Sequence, residues 1–168
     1  TNPISSVTRW SYDATVETAQ SGVEKVILGG EFNNFDLRRR NKVARLNPDG
    51  SLDTSFSPGS GFNDTVFAIA MTASGQAVVG GQFTDFNSTR RVGLARLLSN
   101  GTLDTTFMDA AFNQFAGLIN LSNTLPRNFV AAIGVQPATN VATVNDGTNI
   151  FTITNLTEEF IIGGSFQQ

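Results

Sequence analysis

Residues 78–83 read Val-Val-Gly-Gly-Gln-Phe, and the reading of this stretch decides the fold. Two adjacent glycines inside an apolar run weaken a strand by roughly 0.5–1 kcal/mol each relative to alanine. The chain nevertheless writes the pattern three times, since Val-Ile-Leu-Gly-Gly-Glu-Phe closes at Phe32 and Phe-Ile-Ile-Gly-Gly-Ser-Phe closes at Phe166. A doublet that recurs at Gly29 and Gly30, at Gly80 and Gly81, and at Gly163 and Gly164 belongs to the architecture and not to one loop. The sequence predicts that these glycines lie where backbone approaches backbone too closely for a Cβ, or where the strand kinks. Phosphate cradling is the weaker reading, because no helix opens after any of them.

Working outward, a shift of 51 residues superposes Gly30 on Gly81, Phe32 on Phe83, Phe35 on Phe86, and Arg39 and Arg40 on Arg90 and Arg91. The same shift carries Val-Ala-Arg-Leu (43–46) onto Leu-Ala-Arg-Leu (94–97) and Asp-Gly-Ser-Leu-Asp-Thr-Ser-Phe (49–56) onto Asn-Gly-Thr-Leu-Asp-Thr-Thr-Phe (100–107). So many coincidences at one offset mark a repeated structural unit. A looser third copy begins at Val130, where Val-Ala-Ala-Ile-Gly-Val-Gln-Pro resembles Val-Phe-Ala-Ile-Ala-Met-Thr-Ala from Val66. Its doublet follows the second by 83 residues, and residues 140–154 form two alternating runs around Asn145-Asp146-Gly147, the pattern of an elongated hairpin. At the other end, residues 7–16 read as the first strand of the unit whose doublet is Gly29 and Gly30. The expected organisation is one repeat-built β domain over 1–168, with units at approximately 7–56, 66–107 and 129–168.

Within the middle unit, predicted strands Val66 to Thr72, Gln76 to Phe83 and Val92 to Leu98 are separated by Ser74-Gly75 and a polar loop at 84–91. Helical periodicity is missing throughout, so the chain is predicted to be all-β and propeller-like, with roughly two full blades plus partial ones. In Val66 to Met71, simple alternation places Phe67, Ile69 and Met71 on one face and Val66, Ala68 and Ala70 on the other. Val130, Ala132 and Gly134 take the small-residue face of the third copy. Both faces are apolar, so each sheet is expected to be covered on both sides, a large-residue face meeting a small-residue one.

Composition narrows the function. The 168 residues carry a net charge of −3, no cysteine and no histidine. This removes disulfides, thiolate or imidazole metal ligation, cysteine nucleophiles and the usual base for a serine nucleophile. The mild charge gives no case for nucleic acid, and the longest apolar run, Val66 to Met71, is far too short for a membrane-spanning helix. Lysine is limited to Lys25 and Lys42 while asparagine and threonine abound, a bias suited to an extracellular or cell-surface β protein. The chain starts at Thr1 with no signal-peptide pattern, as a processed or trimmed segment would. No catalytic centre, metal or cofactor is expected.

The stretches Gly-Gly-Gln-Phe, Leu-Ala-Arg-Leu and Asn-Gly-Thr-Leu-Asp-Thr-Thr-Phe, with their first-unit siblings, resemble the delta-60 repeats, β-propeller-like repeats of large bacterial secreted and surface proteins. The resemblance covers roughly Val23 to Phe107. It departs from the pattern in the third unit, which lacks the Ala-Arg-Leu strand after Gly163 and Gly164. It implies a scaffold or binding module and transfers no active-site residues.

Four residue sets invite functional readings. Arg45 and Arg96 recur with Asp53 and Asp104 at one spacing, as anion receptors or, more simply, as ion pairs tying each unit's last turn to its third strand. Asn47, Asp49, Ser51 and Asp53 alternate as calcium ligands can, but Leu98, Asn100, Thr102 and Asp104 at the second-unit positions lose a ligand and a charge, which favours an Asx or type I turn. Arg38 to Arg40 and Arg90 with Arg91 offer a basic rim for a glycan or protein partner, or merely a solvated loop, and Phe35 and Phe86 offer stacking platforms or loop anchors. Asn63, Asn87, Asn100, Asn120 and Asn155 fit the glycosylation pattern, as chance provides in a chain so rich in Asn and Thr. Glu158 and Glu159 have no spacing suited to acid-base catalysis.

Propellers close with four to eight blades. About two units cannot close alone, so the expected role is a structural or adhesive module that self-associates or continues into further repeats, in a ring or filament. The alternative is a propeller that recognises a glycan or protein through its loops.

Overall fold

The computed structural model describes residues 11–18, 24–108, 129–145 and 150–165, and every regular element among them is a strand. The first sheet takes β1 (Ser11–Thr18), β2 (Glu24–Gly30) and, beyond a two-residue hairpin of β3 (Asn34–Phe35) and β4 (Arg38–Arg39), β5 (Val43–Leu46). It is antiparallel in the order β1-β2-β5. The second sheet repeats this plan with β6 (Val66–Met71), β7 (Ala77–Gly81), the hairpin β8 (Asp85–Phe86) and β9 (Thr89–Arg90), and β10 (Leu94–Leu97), in the order β6-β7-β10. The third is an antiparallel pair, β11 (Phe129–Asn145) with β12 (Ile150–Ser165), registered from Phe129 opposite Ser165 to Asn145 opposite Ile150. This is the elongated hairpin predicted around Asn145 to Gly147, whose connecting residues 146–149 lie outside the described set. Unit boundaries at 7 and 168, and Phe166, lie outside it too.

The second sheet is sandwiched by the other two. All five residues of β7 are buried, because Ala77 and Val79 face the first sheet while Val78 and Gly80 face the third. One core joins Ile27 and Val43 of the first sheet to Val66, Ile69, Val79 and Leu97 of the second. Another joins Val78 and Leu94 to Val130, with Ile133, Phe160 and Ile162 packed against it. A buried branched or aromatic side chain stabilises the fold by roughly 1.5–3 kcal/mol, so these apolar contacts supply much of what holds the sheets together.

Simple alternation fails in β6. Val66 pairs with Gly81 and Ala68 with Gly80, so two residues on β6 oppose a single step on β7 and form a bulge. The extra residue turns Val66 to the side of Ile69, toward Gly29 of the first sheet. Phe67 turns the other way and meets Phe129 edge-on, the ring centroids 5.9 Å apart. Both placements correct the predicted faces, which assumed an unbroken period of two. The same irregularity occurs where Ser11 and Asp13 oppose Gly30 and Gly29, and where Val130 and Ala132 oppose Gly164 and Gly163.

The glycine doublet therefore does two separate jobs. A Cβ on Gly29 would lie 2.5 Å from Val66 Cγ1 and 2.7 Å from Ile69 Cδ1, and one on Gly80 would lie 2.5 Å from Val130 Cγ1 and 2.9 Å from Ile133 Cδ1. The first glycine of the first two pairs is thus a socket for side chains of the next sheet, where the sequence predicted backbone. The second meets backbone as predicted, but within its own sheet: a Cβ on Gly81 would overlap the Thr65 carbonyl, and one on Gly164 the Phe129 carbonyl, at the bulge.

Candidate functional site

Each unit's polar loop is a tight hairpin, where the sequence reading saw only a loop. Its two central residues both have positive φ, Asp36 and Leu37 at 46° and 59° and Asn87 and Ser88 at 48° and 64°. That conformation matches the twist of the flanking strands. Phe35 and Phe86 are buried anchors, 3% and 0% exposed, so they offer no stacking platform. Phe86 and Phe83 pack on Phe62 of the linker, with centroids 4.7 and 4.2 Å away.

The two hairpins and the linker enclose a polar cleft of about 790 Å³ whose lining includes Asn33, Asn34, Arg39, Asn63, Asp85 and Asn87. Much of this polarity is already paired. Asn63 Oδ1 accepts from the Thr84 and Asp85 amides at 2.9 and 3.1 Å, and Asn87 Oδ1 accepts from Ser60 Oγ at 2.7 Å and the Gly61 amide at 3.0 Å. Lys42 Nζ donates to Glu31 O at 3.0 Å and Asn33 Oδ1 at 2.8 Å. Arg39 is exposed and lines the cleft.

Of the five arginines expected at a basic rim, Arg38, Arg39 and Arg90 are exposed on the hairpins. Arg40 is half-buried, its guanidinium donating to Arg39 O at 2.9 Å. Arg91 is 1% exposed, which corrects its assignment to the rim. Its guanidinium donates to Arg90 O at 2.8 Å, and its Nε is buried without a hydrogen-bond partner. The loop turns inward after β9 so that the Arg91 amide reaches Thr84 O, which carries the side chain with it.

The recurrent arginine–aspartate pairs lie in the framework. Arg45 Nε donates to Asp53 Oδ2 at 2.7 Å and Arg96 Nε to Asp104 Oδ2 at 2.8 Å, with the guanidinium over Phe56 and Phe107 respectively. Each aspartate also caps the turn that follows, Asp53 through the amide and hydroxyl of Ser55 and Asp104 through those of Thr106. Lys25 also donates to Asp53 Oδ2, at 2.7 Å. Burial pushes the Asp53 carboxyl up, but hydrogen bonds from Lys25, Ser55 and Arg45 outweigh it and hold the group far below the usual carboxylate range. Asp104 moves in the same direction, with burial again opposed, here by Thr106 and Arg96. Arg45 also donates to Ser99 O at 2.6 Å, crossing from the first unit to the second.

The segment weighed as a calcium loop is closed on itself. Asp49 Oδ1 accepts from the Ser51 amide at 2.9 Å and Ser51 Oγ at 2.6 Å, and these bonds lower its carboxyl pKa. Asn100 makes the same two bonds to Thr102, as an Asx turn requires. Among the described residues no cluster of three or more carboxylates exists to hold a metal. Three glycosylation-type asparagines, Asn63, Asn87 and Asn100, are thus committed to local hydrogen bonds, while Asn120 and the Asn155 side chain lie outside the described residues. Glu158 accepts from the Ala73 amide at 2.5 Å and so links the third sheet to the second.

With the repeated sheets, doublets and turns in place, comparison with known families is informative. Residues 25–56 and 72–107 match the model of a domain of unknown function (DUF5122) described as a beta-propeller. Over these two stretches the chain is similar to a β-propeller domain. The two matched stretches run through equivalent parts of the two units, from the doublet strand to Phe56 and Phe107. No curated protein and no solved structure matches the chain. No helix among the described residues is long and apolar enough to cross a membrane.

Proposed function

We propose that this chain is a non-catalytic structural or adhesive module of extracellular or cell-surface location, which assembles with further repeat units or chains into a ring or filament. The observation that carries this reading is the dependence of each sheet on its neighbours: β7 is buried throughout because sheets lie on both sides of it. A repeat whose core forms between units gains stability from every unit added. We further assign the repeats to the delta-60 group, on the strength of the Gly-Gly-x-Phe, Ala-Arg-Leu and Asp-Gly-Ser-Leu-Asp-x-x-Phe segments. Sedimentation velocity over a range of concentrations, followed by electron microscopy, tests the assembly. Rings or fibres support it, and a folded monomer at every concentration sinks its oligomeric form.

A second reading, recognition of an anionic glycan or protein partner through the loops, is favoured by the cleft between the hairpins and by the exposure of Arg39 and Arg90. Its mark is salt-sensitive binding to a sulfated glycan that Arg39→Ser with Arg90→Ser weakens. Equal binding by the double variant counts against it.

A further inference from the structure

The polar cleft is lined by two equivalent segments, 33–42 from the first unit and 84–93 from the second, and there the two units differ. Under the 51-residue shift their anchors agree, Phe35 with Phe86 and Arg40 with Arg91. The cleft residues do not. Asn33, Asn34, Asn41 and Lys42 meet Thr84, Asp85, Val92 and Gly93, while Asn87 and Ser88 meet Asp36 and Leu37. Apart from Arg39, which meets Arg90, every residue of these segments that lines the cleft differs from its counterpart. The framework repeats, and this wall does not.

Lys42 departs furthest. Its position requires positive φ, 68° in Lys42 and 72° in Gly93. Both residues make the same backbone bonds: their amides donate to Phe32 O at 2.8 Å and Phe83 O at 2.9 Å, and their carbonyls accept from the Gly30 and Gly81 amides at 3.0 Å. Glycine meets this demand without steric cost, whereas lysine in the left-handed region is strained. The backbone therefore gives no reason for a lysine, and strain of this kind clusters at binding sites. The Lys42 ammonium meets only neutral acceptors, Glu31 O and Asn33 Oδ1, and among the described residues no carboxylate pairs with it or with Arg39.

The cleft thus sets two cations against one carboxylate, Asp85, whose Oδ2 already accepts from Asn63 Nδ2 at 2.9 Å and Thr84 Oγ1 at 2.7 Å. The Asn34 side chain and Asn87 Nδ2 make no hydrogen bond among the described residues and face no competitor for a ligand. Phe35, Phe62 and Phe86 are buried, so the apolar anchors of a peptide find no seat. We infer that the cleft binds an acidic oligosaccharide, its carboxylate or sulfate against Lys42 and Arg39 and its hydroxyls against Asn34 and Asn87. Arginine grips such a group through paired hydrogen bonds and lysine as a point charge. The inference rests on the loop-recognition reading and moves its contact from the arginine rim to one cleft, whose wall excludes Arg90.

Titration calorimetry on the full chain tests this with oligogalacturonate, a short dextran sulfate, neutral dextran and oligoglutamate. The expected result is salt-sensitive binding of an acidic sugar, galacturonate marking a carboxylate site and dextran sulfate a sulfate site, with neutral dextran and oligoglutamate at least tenfold weaker. Lys42→Gly installs the second unit's own residue, so it should melt at or above the parent temperature yet bind at least tenfold more weakly. Arg39→Ser, at an exposed position, should weaken binding as much and several times more than Arg90→Ser, which decides the matter even if Lys42→Gly unfolds. Unchanged binding by a folded Lys42→Gly, or equal losses from Arg39→Ser and Arg90→Ser, makes the cleft wrong while the loop reading stands. Equal binding of oligoglutamate or neutral dextran overturns the ligand class. If neither acidic sugar nor oligoglutamate binds, the cleft and the loop reading both fall.

Discussion

Gly80 lies so close beneath Val130 that a β-carbon on the glycine would stand 2.5 Å from a valine methyl, and Gly29 holds the same relation to Val66. One contact, repeated between consecutive sheets, is the joint of the stack.

Gly80→Ala should therefore lower stability by roughly 1–3 kcal/mol, the usual cost of overpacking a filled site. In a double-mutant cycle with Val130→Ala, the combined loss should fall short of the sum of the single losses by at least about 0.5 kcal/mol, since trimming the valine makes room for the new methyl. Gly81→Ala behaves differently: its Cβ overlaps the Thr65 carbonyl, and no side-chain truncation relieves that. Urea titrations measure all four, and strict additivity at Gly80 and Val130 would refute the packing role.

The Arg45–Asp53 pair is buried, with side chains 7% and 6% exposed, so Asp53→Ala leaves a buried guanidinium and should cost roughly 3–5 kcal/mol. Asp104→Ala should cost less, because Arg96 is 21% exposed and can be rehydrated. The depressed pKa of Asp53 sets the direction with pH. Its contribution is complete above the unfolded-state carboxylate value of about 4 and is lost as pH falls through the lower folded value. Thermal melts below about pH 4 should show the parent losing stability more steeply than Asp53→Ala. Parallel acid limbs would contradict this account.

Leu37 sits at φ 59° and is 91% exposed, so it bears the left-handed conformation without any packing in return. Leu37→Gly removes a steric penalty of roughly 1–2 kcal/mol and adds some chain entropy to the unfolded state. The expected net result is a gain of about 0.5–1 kcal/mol, seen as a higher melting temperature. A loss would show that the exposed leucine has an unseen packing role.

Arg91 is buried with an unpartnered Nε, an arrangement that costs about 1–3 kcal/mol. Arg91→Met keeps the length of the stem and removes the orphan, so it should hold or raise stability by about 1 kcal/mol. Arg90→Ser, on the exposed strand, should change it by no more than about 0.5 kcal/mol. Marked destabilisation by Arg91→Met would mean that the guanidinium makes a contact the fold requires.

The repeat was legible because its landmarks are chemically costly to place: a glycine doublet in an apolar strand, an Ala-Arg-Leu strand, and an aspartate directly after the leucine that follows each turn. The hairpins of β3 with β4 and β8 with β9 were less so. Asn87-Ser88 carries a weak turn signal, whereas in Asp36-Leu37 only the aspartate carries one, since leucine seldom adopts positive φ. Arg90 and Arg91 are adjacent and chemically identical, and nothing local distinguishes the exposed one from the buried one.

By itself the sequence determined the all-β class, the 51-residue period and the places where a side chain is forbidden, because those depend on composition and spacing along one strand. Only the tertiary structure decided which way each side chain faces. A bulge at Val66 exists by virtue of the pairing with Gly80 and Gly81, and one extra residue there reverses the alternation that sequence reasoning takes for granted. The same holds for Gly163, exposed where its counterparts Gly29 and Gly80 are buried, since burial belongs to neighbours in space and not to neighbours in the chain.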